Sequence, residues 1–228
     1  PQGGNRAGVA VLLLLISMMG GRLIPSFTRN WLARTYPAGR MPAPFGTMDR
    51  VALGAVALAL LGWVVAPGAT ASSWVALAAG LLLLGRLARW EGWRTGREPL
   101  MLVLHVGYAW LASGFLLLGI AGLTGWLAPA DAVHGLTMGA VGTMTLAVMT
   151  RATLGHTGGA LHAGPGTCAG YALVSLAALL RVAAPLAGDD TLLLLVLAGA
   201  ARSGAFGLFV VLYFGPLTRA RVRRPDSR

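Results

Sequence analysis

Four histidines, His105, His134, His156 and His162, are the side chains in this sequence that could ligate a transition metal through nitrogen. His105 and His134 fall inside apolar runs, where an ionisable residue is costly and is therefore a functional hypothesis by default. A structural role for either is the competing reading. His134, Met138, Val141, Gly142, Thr145 and Met149 follow the three-to-four spacing of one helix face. Imidazole combined with thioether suits copper or haem iron, although methionine is also ordinary core filler. From 134 to 156 is 22 residues, roughly 33 Å at helical rise, so those two histidines cannot hold one ion. His105 and His156 share the opposite half from His134 and are the pair that could cooperate. His162 lies in a glycine-rich stretch and reads as a solvated side chain. Arg202 falls near the middle of the last apolar run with no evident acidic partner. A backbone carbonyl, a water-filled cavity, a propionate or an acid from elsewhere would have to compensate it.

The elements that position these residues are membrane helices. Of 228 residues, 56% are apolar and 11% charged, and mean hydropathy is +0.72. A soluble domain of this size needs a far more charged surface. Seven apolar runs are long enough for a hydrocarbon core of about 30 Å: residues 8–24, 50–66, 73–87, 99–123, 131–150, 167–187 and 191–217. None shows the apolar-polar alternation of a barrel strand. The fold class read from this pattern is all-α, a polytopic transmembrane bundle of about seven helices forming one domain over residues 1–228, with an arginine-rich tail at 218–228.

The net charge of +11 comes from 18 basic residues, all arginine. Their placement at span edges removes a nucleic-acid reading. Fifteen fall in four segments that share one side: the loops after the first, third and fifth spans, and the tail. By the positive-inside rule that side, and with it the C-terminus, is cytoplasmic. Arg86 is counted here with the loop after the third span, and Arg22 and Arg29 with the loop after the first. The single cysteine, Cys168, reads as a small apolar residue within a span. Gly135 and Gly139 have the small-xxx-small spacing of close helix contact, or of a flat surface for a planar ligand. The sequence begins at Pro1 with no initiator Met and no signal-peptide n-region, and so reads as a piece of a longer chain.

Three stretches carry more than composition does. They are Gly20–Leu32 (GGRLIPSFTRNWL), Pro99–Leu111 (PLMLVLHVGYAWL) and His134–Gly158 (HGLTMGAVGTMTLAVMTRATLGHTG). In type and order they resemble the NnrS family of bacterial membrane proteins, over essentially the whole chain. The resemblance implies a bundle of about twelve helices of which these seven are the carboxy-terminal part, the amino-terminal half with its His-Glu motif being missing. It also implies a role in nitric oxide metabolism and denitrification, with haem and copper as cofactors, in the bacterial inner membrane. His105, His134 and His156, with Met138, are then the expected metal-site residues. Arg22, Arg29, Tyr108, Arg151 and Arg202 are the expected cofactor-binding ones, the arginines through charge-assisted bonds to propionates. The partners expected are the lipid bilayer, haem, nitric oxide, and the amino-terminal half of the protein or a respiratory reductase. No carboxylate relay or metal cluster is evident, so turnover is not expected. A small-solute transporter and an assembly partner of a reductase are the other readings.

Overall fold

The computed structural model describes residues 2–157 and 161–218, and among them every regular element is helical. The helices are α1 (Gln2–Thr35), α2 (Thr47–Val65), α3 (Thr70–Ala88), α4 (Pro99–Thr124), α5 (Pro129–His134), α6 (Gly142–Thr157), α7 (Pro165–Ala183) and α8 (Thr191–Thr218). A π-helical segment, Gly135–Val141, joins α5 and α6 into one continuous run. Seven helices or helix runs among the described residues are long and apolar enough to cross a membrane. The protein is therefore a multi-pass membrane protein.

Bilayer lipid is as apolar as leucine, so van der Waals fit and small residues decide how these helices associate. α4 is the most enclosed of them. It lies between α3 on one side and the α5–α6 run on the other. A Cβ on Gly114 would strike the side chain of Leu136, and one on Gly139 would strike the Trp110 ring. Gly135 lies against the backbone of Gly114. Gly135 and Gly139 thus serve close helix packing, not a planar ligand. Outside this centre, α2 packs between α1 and α3, and α7 and α8 pair at the other end.

Several boundaries differ from the sequence reading. α1 is 34 residues long, about 51 Å at helical rise, and runs straight through Pro25. Proline removes one backbone bond, which membrane helices tolerate. Arg22, Arg29 and Arg34 therefore stand on a helix and not in a loop. α6 continues to Thr157, so Arg151, Gly155 and His156 occupy its last turns. Arg86 lies within α3, and its side chain is 0% exposed. It belongs to the interior and not to the charged loop. The five arginines of the tail beyond Thr218, and Gly158 of the third motif, lie outside the described residues.

At the arginine-bearing face, the connection between α1 and α2 folds over the segment 89–98. Ala43 N–H donates to the Arg89 carbonyl at 3.1 Å, and Arg29 donates to the Pro42 carbonyl at 2.8 Å. Arg94 donates to the Arg40 carbonyl. Trp90, Glu91 and Thr95 are buried beneath this cover.

Candidate functional site

Between α1 and α6 lies a cavity of about 640 Å³, floored by Leu104 of α4 and open along its outer side, where Met19 and Val148 are exposed. Its α1 wall is Leu12, Ile16, Met19, Gly20, Leu23 and Phe27, and its α6 wall includes Met144, Thr145, Val148, Arg151, Gly155 and His156. Both walls repeat at three-to-four spacing, so each helix presents one face to the same space. The walls are apolar except at the end near the arginine-bearing face. There the Arg151 guanidinium lies 4.2 Å from the Phe27 ring centroid, with Nη1 3.5 Å from Met101 Sδ. Among the described residues no carboxylate pairs with it. A stacked guanidinium in low dielectric with free donors is a receptor for an anionic group. His156, exposed on the last turn of α6, shares that end.

Of the residues expected to bind a cofactor or metal, the structure brings Arg151 and His156 together here. The others lie elsewhere. His105 is buried, at 5% exposure. Its Nδ1–H donates to the Met101 carbonyl at 3.0 Å, which leaves Nε2 as the lone-pair nitrogen. Nε2 sits 3.3 Å from the Thr28 hydroxyl oxygen, which donates its single proton to the Ile24 carbonyl at an oxygen–oxygen distance of 2.8 Å. Gly92 closes over the ring, since a Cβ there would collide with the imidazole. Metal ligation by Nε2 requires Thr28 to turn away.

His134 is half-buried at the opposite end, one turn beyond Asp131, which pairs with Arg181 at 3.5 Å. The π-helical segment that follows it breaks the face expected to unite His134 with Met149. Its wider turn, closed by an i to i+5 bond from Gly142 N–H to the Thr137 carbonyl, changes the side-chain register. Val141 and Thr145 accordingly line the cavity, Met149 packs on the core, and His134 and Met138 do neither. Arg22 stands exposed on α1, and Arg202 is exposed on α8 with its guanidinium 5.8 Å from the Phe206 centroid. Among the described residues no three His, Cys, Asp or Glu side chains form a metal cluster.

Tyr108 belongs to a second site, one not found by sequence reasoning. Arg86 reaches from α3 into the bundle, and its Nε donates to Asp49 Oδ1 of α2 at 2.7 Å. Its Nη1 donates to the Ser17 carbonyl of α1 at 3.1 Å and to the Tyr108 hydroxyl of α4 at 2.8 Å. Asp49, 3% exposed, also accepts from Arg89 at 3.3 Å and from Gly46 N–H at 2.9 Å, half of a capping box at the start of α2. Trp90 stacks on the guanidinium at 5.4 Å. Gly21 leaves the space that the guanidinium fills, because any Cβ there would overlap it. One arginine thus ties four helices, about 24 Å along α3 from its start. Asp49 lies in the first turn of α2, one residue outside the 50–66 run read from the sequence, and is buried. Both of its charged partners, Arg86 and Arg89, hold it.

The signal for this hub lay in the spacing. Ser73, Ala76, Ala79, Leu83 and Arg86 form the buried stripe of α3, and Asp49, Ala52, Val56, Ala59 and Trp63 that of α2. Each ion sits at the end of an inward-facing row.

Glu91 is the remaining buried acid, 2% exposed and 3.0 Å from Arg40. Its φ of 57° is the one positive value at a non-glycine among the described residues, a conformation that costs about 1–2 kcal/mol.

Compared with known protein families, residues 1–221 match the NnrS family, described as NnrS protein. No curated protein matches, and no solved structure does.

Proposed function

The chain belongs to the NnrS family, and from that membership we propose that it binds haem in the bacterial inner membrane and acts in the response to nitric oxide. The cavity between α1 and α6 is the observation that carries this reading. Its volume lies inside the roughly 300–1,000 Å³ typical of small-molecule sites, and its walls are apolar where a macrocycle would lie. Arg151, stacked on Phe27 and without a carboxylate partner among the described residues, would hold a propionate. The imidazole of His156 and the thioethers of Met19 and Met144 are the donors that face the same space. Haem iron, when bound, would supply a site for nitric oxide. The apolar walls would cover the ligand's faces, and Arg151 would hold one charged end.

Copper finds no comparable donor set among the described residues, since His105 is enclosed and His134 stands at the far end of the bundle. Metal analysis decides that part of the reading. The arginine-bearing face would be cytoplasmic by the positive-inside rule, with the C-terminus on that side.

The test is purification in mild detergent from haem-replete cells. A Soret band that falls by more than half in Arg151→Ala and shifts in position in His156→Ala is the expected result. A protein that purifies without haem overturns the reading.

A further inference from the structure

Among the residues that line the cavity between α1 and α6, the side chains with a nitrogen or sulfur lone pair are Met19, Met144 and His156. Their depths separate them. Met144 precedes Arg151 by seven residues on α6, two turns or about 10 Å inward along nearly the same face. On α1, Met19 precedes Phe27, on which Arg151 stacks, by eight residues, about 12 Å. His156 lies five residues past Arg151, on the side away from the apolar walls. The propionates of a haem leave one edge of its ring. With that edge on Arg151, a ligand to the ring's centre has to come from inward of Arg151, and His156 stands outward of it.

The two thioethers differ in how they are held. Met19 is 53% exposed, on the open side of the cavity, whereas Met144 is 6% exposed. A Cβ on Gly107 of α4 would strike the Met144 sulfur at 2.7 Å, and one on Gly20 of α1 would lie 3.3 Å from its methyl group. Glycines on two neighbouring helices therefore clear the space around this one methionine. A side chain already held in place gives up less rotamer freedom when it binds than an exposed one does.

On the reading that haem occupies this cavity, we propose that Met144 is the axial ligand to its iron. A thioether is a soft, weak axial donor and holds iron at a higher reduction potential than imidazole does. His156 neighbours the propionate end, where its loss moves the Soret band without removing the ligand to iron.

The experiment uses the full chain purified with haem in mild detergent, its methionine methyl groups labelled with carbon-13. In the oxidised protein, the unpaired spin of iron should displace one methionine methyl signal far outside the range of the rest. That signal should be missing from Met144→Leu, which keeps most of its haem because Arg151 and the walls remain. Met19→Leu and His156→Ala should retain it. Met144→His should keep haem and lower its midpoint potential, and the helix content of each variant by circular dichroism should equal that of the parent. Should Met144→Leu fail to fold, Met144→His decides, and a potential equal to the parent's overturns the proposal. With haem bound, a parent that shows no displaced methyl signal, or a displaced signal that survives Met144→Leu, overturns the proposal and leaves the haem reading standing. A parent that purifies without haem overturns both.

Discussion

Asp49→Asn is the substitution that tests whether the buried hub holds the bundle together. Asparagine keeps the shape of the side chain but only one acceptor: with its oxygen on Gly46 N–H, its NH2 faces the Arg86 Nε–H donor, so the change removes the charge and the bond from Arg86 Nε. Arg86, 0% exposed, then keeps two neutral acceptors, the Ser17 carbonyl and the Tyr108 hydroxyl. Removing one member of a buried pair costs about 3–5 kcal/mol, because the other charge stays desolvated. Loss of the charge together with the Arg86 Nε acceptor places Asp49→Asn within that range, about 3–5 kcal/mol. Arg86→Met is the complementary change and should cost less, about 1–3 kcal/mol. It leaves Asp49 with Arg89 and the Gly46 amide. With both changes made, no unpaired charge remains, and the double variant should lie about 2–3 kcal/mol above the sum of the singles. Reversible unfolding in mixed micelles, followed by tryptophan fluorescence, reads this directly. Trp90 lies 4.5 Å from Tyr108 within the hub. An Asp49→Asn variant within about 0.5 kcal/mol of the parent, or strictly additive singles, refutes the reasoning.

Further outcomes follow from other residues. Gly21→Ala should destabilise the protein by about 1–3 kcal/mol in the same assay, since the new methyl competes with the Arg86 guanidinium for one space. Pairing it with Arg86→Met should remove most of that loss. At Glu91, glycine should be better tolerated than alanine by about 1 kcal/mol, because alanine keeps the left-handed strain and glycine does not. His105→Ala should lower stability by opening the packing between α1 and Gly92, while haem per folded protein stays as in the parent. A selective loss of haem there would instead make His105 a ligand.

Seven spans, their order and the clustering of arginines at their edges were legible because they rest on hydropathy and charge alone. Helix ends were less legible. The three-to-four pattern of α1 continues past Ile24 at Thr28 and Leu32, but Arg22, Pro25 and Arg29 masked it. The cavity was half legible: Arg151 and His156 stand five residues apart on one helix, but Met19 and Phe27 join them only through the packing of α1 against α4. The π-helical turn at Gly135–Val141 was invisible, since nothing in GLTMGAV distinguishes an i to i+5 bond from a regular turn. That one turn separated His134 and Met138 from the face they were expected to share.

Arg86 and Arg202 pose the same problem to the fold and receive different answers. Both are arginines within apolar spans, and each needs a counter-charge that hydrocarbon cannot give. Arg86 points along the inward row of α3, where α2 supplies Asp49, α1 and α4 supply acceptors, and Gly21 gives room. Arg202 points outward from α8, beside glycines that leave equal room but face no helix of this bundle. In composition the two residues are indistinguishable. The direction each takes from its helix axis decides that one ties the bundle internally while the other stands on its outer face beside Phe206.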